Sequence, residues 1–172
     1  RWLCKELGIA PEDHLVMWVS FWLALHDLGK FSEGFQGQRA DLFKQLRGRA
    51  PSKPYNERHD TLGKAVWTKL LEPLAVDESW FGPQTGEYCD GADAWVRAVT
   101  GHHGQPPKSD NGYIGHHFDE SHDCPAIEVF VREVRQLMLG ESQPMLPTTL
   151  GAVEFCDASR RVSWWVAGLA VL

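Results

Sequence analysis

Leu23-Ala24-Leu25-His26-Asp27-Leu28-Gly29-Lys30 decides how this chain is to be read. A nearly all-apolar run, Leu15 to Leu25, ends in a neighbouring imidazole and carboxylate. Gly29 then breaks the helix and Lys30 adds a cation. Polar groups of this kind at the end of a buried helix are costly unless something pairs them. A C-terminal cap, with the imidazole on free carbonyls, accounts for His26. It leaves Asp27 unexplained, whereas a divalent cation accounts for both: a carboxylate can bridge ions and neutral imidazoles can complete the shell. Lys30 lies one turn beyond His26, within reach of a phosphate oxygen.

Outward from this stretch, the pattern is helical. Arg1–Leu7 reads as a helix closed by Gly8. Pro11, Glu12 and Asp13 suit a first turn. The helix through His14–Leu25 has Ser20 as its only polar break, which predicts burial on every side. Phe31–Gly48 is amphipathic, with Phe35, Leu42, Phe43 and Leu46 as its apolar set. Lys44–Arg58 is a basic connector carrying Lys44, Arg47, Arg49, Lys53 and Arg58 against the single acid Glu57. Glu57–Leu71 places Leu62, Val66, Trp67 and Leu70 near one stripe. The acidic Glu72–Asp93 reads as loop, and Ala92–Thr100 as a short helix stopped by Gly101. Gln105–Cys124 is polar, Ala126–Leu139 amphipathic, and Thr148–Leu172 mostly helical. No segment alternates as a strand does, so the fold class is all-α.

Size and composition bound the function. The 172 residues are 43% apolar and 23% charged, with eight Trp, which suits one globular domain with a large core. The net charge of −6 gives no global attraction to nucleic acid. Cys4, Cys89, Cys124 and Cys156 form no Cys-x-x-Cys, which argues against a zinc ribbon and for reduced thiols in a cytoplasm. No signal peptide is expected from these residues, and the apolar tail Val162–Leu172 is too short to span a bilayer. Arg1 is not Met, and Val166–Leu172 has no helix stop. The expectation is a module excised at both ends from a longer chain.

Eight His are present, and His-Asp pairs recur at 26–27, 59–60 and 122–123. His59 opens a helix whose buried stripe continues at Leu62 and Val66; pattern alone leaves ligand and core residue equally open. Asp60 points about 100° away from it on a helix and reads as a first-turn acid. His102-His103, between Gly101 and Gly104, can turn both rings toward one cavity, which favours ligands over a solvated loop. His116, His117 and His122 read as exposed loop residues, and His14 as a surface residue of a first turn. The connector cations Lys44, Arg47 and Arg49 are candidates for contacting a nucleic-acid strand; a solvated loop is the competing reading.

His26-Asp27-x-Gly-Lys30, a lone His59 and His102-His103-Gly104, in that order, resemble the HD metal-dependent phosphohydrolase superfamily. Within it, ALHDLGKFSEGFQ and TGHHGQPP resemble the HD nuclease module of the CRISPR-associated type I helicase-nuclease. The resemblance spans nearly the whole chain and implies a single HD-type helical bundle, residues 1–172, around a metal site. It further implies Asp27 and Lys30 as catalytic residues and His26, Asp27, His59, His102 and His103 as metal ligands. Two further ligands, a histidine upstream and an aspartate downstream, are expected outside this sequence. One or two divalent ions are implied, with iron, manganese, nickel or cobalt favoured over magnesium by the mixed donors. The implied activity is endonucleolytic and then processive cleavage of single-stranded DNA. The implied partners are a helicase domain in the same longer chain and a Cascade-type surveillance complex, with no membrane involved. Two rivals stand beside this: a phosphohydrolase acting on nucleotides or cyclic dinucleotides, and a catalytically idle docking module.

Overall fold

Helix α2, Glu12–Ala24, supplies Trp18, Phe21 and Trp22 to the core. The computed structural model describes residues 1–101, 105–108, 113–140 and 148–170. Helix α1, Trp2–Leu7, precedes α2 and ends at Gly8 in the left-handed conformation, as its sequence predicts. After α2 the chain tightens into a 3-10 turn, Leu28–Phe31, and a single helical turn α3, Glu33–Gln36. Helix α4 is Ala40–Arg47 and α5 is His59–Val66, extended by a π-helical turn Trp67–Leu71. Then follow α6, Glu72–Asp77, α7, Thr85–Thr100, α8, Asp123–Leu139, and α9, Ala152–Ala170. Among the described residues there is no strand, only an isolated bridge between Ile9 and Thr148, and the fold is all-α. No described helix is long and apolar enough to cross a membrane.

The core is built on tryptophan. Trp18 makes edge contacts with Trp22, Trp95, Phe81 and Phe155 at centroid separations of 5.4–6.2 Å. Trp22 in turn meets Trp67 at 5.4 Å. These offset arrangements are the ones aromatic quadrupoles favour. Trp95 Nε1 donates to Ser159 Oγ at 3.1 Å, which satisfies its polar edge and ties α7 to α9. Those two helices form the most extensive interface in the fold.

Four expectations need correction. Helix α2 is not buried all round: Leu15, Trp18, Phe21 and Trp22 face the core, but Val16 is 62% exposed and Met17 also faces outward. Apolar content is not periodicity, and the 3.6-residue repeat leaves one edge of α2 in water. Phe31–Gly48 is not one amphipathic helix but α3, a 3-10 turn Gly37–Arg39 and α4. Of its apolar set only Phe43 is buried, and Leu46 is 83% exposed. Glu72–Asp93 is not a loop, because α6 and the first half of α7 occupy most of it. Its Gly91 marks close helix packing: a Cβ there would lie 2.6 Å from Phe155 Cδ1. Finally, the connector Lys44–Arg58 is no freely solvated loop, since its first four residues belong to α4. Arg49 spans to Glu33 and Asp119, and Lys53 Nζ donates to the Gly115 carbonyl.

Candidate metal centre

The end of α2 fixes the first side chains. His26 Nδ1 lies 2.7 Å from the Leu23 carbonyl oxygen. A carbonyl only accepts, so Nδ1 is the donor, and Nε2 is the nitrogen left to bind. That Nε2 lies 3.0 Å from Asp27 Oδ2. The capping and site readings of His26 are therefore compatible: one ring nitrogen caps α2 and the other faces Asp27. Anchoring one imidazole nitrogen in this way is how ligating histidines are held.

The second histidine comes from a separate helix. His59 is the first residue of α5, and its Nε2 lies 3.4 Å from Asp27 Oδ1. Gly29 makes this approach possible. A Cβ at position 29 would lie 1.8 Å from the His59 carbonyl oxygen and 2.8 Å from Gly63 N, so only a glycine lets the two backbones meet. Lys30 closes the other side, with Nζ 2.7 Å from Asp27 Oδ2. It also sits 5.8 Å from the Phe35 ring centre. Phe35 meets His59 edge to face at 5.7 Å and Tyr55 at 5.5 Å. This aromatic wall is not visible in the sequence, where Phe35 belongs to the apolar set of Phe31–Gly48 and Tyr55 carries no pattern.

Burial alone would push the Asp27 carboxyl up. The Lys30 hydrogen bond and the charges of His26, Lys30 and His59 outweigh it, and the net shift is downward. Asp27 is thus held as a carboxylate facing two imidazoles. Since His26 Nδ1 donates to Leu23, a neutral His26 ring would turn an Nε2 lone pair onto Asp27 Oδ2 at 3.0 Å. Two acceptors at that distance repel unless a proton or a cation lies with them. The donor set therefore fits a divalent ion in kind, as imidazole and carboxylate. It does not complete a site by itself: among the described residues no group of three or more His, Cys, Asp and Glu side chains is disposed to hold a metal ion. His102 and His103, the two remaining expected ligands, lie outside the described residues.

The other candidates fall elsewhere. Asp60 is buried and paired with Arg58, as a first-turn acid that also accepts from Thr61 N–H. His116 and His122 are exposed, and His117 is half-buried with Nδ1 3.4 Å from the Pro54 carbonyl. Lys44 is exposed on α4. Arg47 and Arg49 are not free surface cations. Arg47 pairs with Asp123, and Arg49 grips Glu33 through both terminal nitrogens at 2.8 and 2.7 Å and reaches Asp119 at 2.6 Å. Glu33 and Asp123 are fully buried, and Asp123 Oδ2 accepts the Glu33 N–H at 2.8 Å. This network bolts the segment just after Lys30 to the start of α8, and the sequence reading missed it.

Comparison with protein-family models matches residues 1–172 to the family described as Cas3, HD domain. No curated protein and no solved structure matches. With paired imidazoles and a carboxylate at its centre and a match over its whole length, the chain belongs to the family of Cas3 HD domains, the HD nuclease domains of CRISPR systems.

Proposed function

We propose that this chain hydrolyses phosphodiester bonds of single-stranded DNA in type I CRISPR interference. In this reading it is one HD-type domain, working beside a helicase domain of the same longer protein and a Cascade-type complex in the cytoplasm. The observation that carries the proposal is the convergence of His26 and His59 Nε2 on the two oxygens of Asp27, one from the turn after α2 and one from the start of α5, in a chain of this family. His26, Asp27 and His59, with His102 and His103, are the proposed holders of one or two divalent ions. Iron, manganese, nickel or cobalt suit these donors better than magnesium. The chemistry such ions supply when bound is water activation and neutralisation of charge building on the phosphate.

The chain's own residues do the rest. Asp27 stays ionised and orients both rings. Lys30, fixed on Asp27 and against Phe35, keeps a positive charge at the mouth of the site, where a phosphate oxygen arrives. Among the connector cations, Lys44 is the one proposed to face the strand. Arg47 and Arg49 support the site through the loops they brace.

The test is incubation of the protein with manganese and, separately, single-stranded DNA, duplex DNA, mononucleotides and cyclic dinucleotides. Cleavage of single-stranded DNA is expected, with the nucleotides untouched. Hydrolysis of nucleotides alone would move the assignment to a small-molecule phosphohydrolase. No hydrolysis and no metal uptake would leave a docking module.

A further inference from the structure

Tyr55 stands at the edge of the candidate metal centre without belonging to it. The residue is 37% exposed, yet its ring is held: it meets Phe35 edge to face at 5.5 Å, and Phe35 meets His59 at 5.7 Å. Beside it opens a cleft of about 320 Å³ lined by Tyr55, Asn56, Glu57, Arg58 and Lys108. That volume lies at the lower end of what a small organic ligand requires. The lining carries two cations against one acid, and Glu57 Oε1 is engaged by the Arg58 N–H at 3.0 Å. Arg58 is braced on Asp60 through Nε and Nη2, at 3.1 and 2.6 Å, while its Nη1 lies 3.4 Å from Gln105 Oε1. Lys108, which also lines the cleft, is exposed. A fixed aromatic, an amide and a lysine around one nucleotide-sized hollow is the equipment that single-stranded nucleic acid needs. Bases stack on aromatic faces, and phosphates follow cations.

The position matters as much as the composition. Tyr55, which lines the cleft, is joined to His59 through the Phe35 ring, at 5.5 and 5.7 Å, so the cleft opens one ring away from the imidazole that faces Asp27. The larger groove between α7 and α9, about 660 Å³, offers no such preference: it sets Asp90 and Asp93 against Arg97 and Arg160. Asp93 there is already bound by Lys64 and Arg97.

We infer that the cleft beside His59 is a nucleotide subsite, in which Tyr55 stacks the base adjoining the scissile phosphate and Lys108 holds the neighbouring phosphate. The inference rests on the DNA-cleaving reading above and specifies where the strand is gripped. Tyr55 is then a positioning residue: it sets which phosphate reaches Asp27 and Lys30, and takes no part in the bond cleavage.

The experiment measures binding of a fluorescein-labelled oligothymidylate to the whole protein in chelator, by anisotropy, and cleavage of the same strand with manganese. Wild type, Tyr55→Ala, Tyr55→Phe and Lys108→Gln are compared. Tyr55→Ala should weaken binding by about 5- to 100-fold, the worth of one stacked base. It should raise KM with kcat little changed, and Tyr55→Phe, which keeps the ring, should restore both. Lys108→Gln should reduce the slope of log affinity against log salt by about 0.7, one phosphate contact on a single strand. If wild type binds and cuts but Tyr55→Ala does the same, the subsite is wrong and the DNA-cleaving reading stands. If wild type neither binds nor cuts, that reading fails and the subsite with it.

Discussion

Lys30 Nζ lies 2.7 Å from Asp27 Oδ2, on the same carboxylate that His26 and His59 approach from either side. Burial pushes this carboxyl up, and Lys30 together with the His26 and His59 rings more than offsets it, so the native Asp27 ionises below its usual range. Removing the ammonium leaves the burial. In Lys30→Met the Asp27 carboxyl should therefore titrate at higher pH than in wild type, followed by the ¹³C shift of its side-chain carbon. Cleavage should fall by about 100-fold, as for loss of one charge-stabilising donor. An Asp27 titration that stays put would mean the lysine does not set it.

Asp27 is the joint between two helices, so its loss should act on both imidazoles at once. Asp27→Asn keeps the shape and removes the charge. Manganese affinity, measured by titration of the metal-free protein, should fall by more than the 10- to 100-fold typical of residues that only orient a ligand. His103→Ala, which removes a proposed ligand, should also lose metal, whereas Asp60→Asn should retain it, because Asp60 is held by Arg58 and Thr61. Equal manganese affinity in Asp27→Asn and wild type would remove Asp27 from the site.

Gly29 couples the fold to the chemistry. A Cβ at this position meets backbone atoms of His59 and Gly63, which cannot swing aside as a side chain can. Gly29→Ala should separate the 3-10 turn from α5, cost about 1–3 kcal/mol in unfolding free energy, and reduce metal uptake as His59 leaves Asp27. Gly86 in α7 is the control, since a Cβ there meets nothing within 4 Å. Gly86→Ala should be neutral or stabilise by up to about 1 kcal/mol, with metal content unchanged. Urea unfolding and metal analysis on the two variants decide it.

What the sequence made legible was local. His26, Asp27 and Lys30 could be read because a buried helix, a broken turn and three polar groups fall within one short stretch. The stripe of α5 and most of α8 could be read because their periodicity is strong, although Leu137 of α8 is exposed. What escaped depends on distant partners. Gly91 looked like a loop residue because Phe155, which it packs against, lies far along the chain. Glu33 drew no notice because its partners are Arg49, Ser52 and, through its backbone, Asp123, 90 residues away. Arg47 and Arg49 look like a basic surface in the sequence because Asp123 and Asp119 lie in a segment that reads as a polar loop, and Glu33 lies a turn and a helix away from Arg49. Leu42 and Leu46 carried a helical pattern but sit on a short helix with its outer side in water.

Glu33 also yields a pH dependence. The Arg49 hydrogen bonds, opposed by burial and aided by Ser52, hold its carboxyl at about 2 against an ordinary 4.5. A carboxyl depressed in the native state stabilises the fold fully above its unfolded value, and that contribution is lost as pH falls through the folded one. Glu33 should therefore contribute on the order of 3 kcal/mol at neutral pH, declining between about pH 4.5 and pH 2. Asp123 acts in the opposite sense. Its burial outweighs the Glu33 and Asp119 N–H groups and Arg47, so it is raised and binds a proton more readily when folded. Comparing Glu33→Gln with wild type by urea unfolding across pH cancels the Asp123 contribution, which both carry. The difference should be constant above about pH 4.5 and shrink toward pH 2. A difference that holds steady through that window would show that the network stabilises the loop after Lys30 by hydrogen bonding alone, without the charge on Glu33.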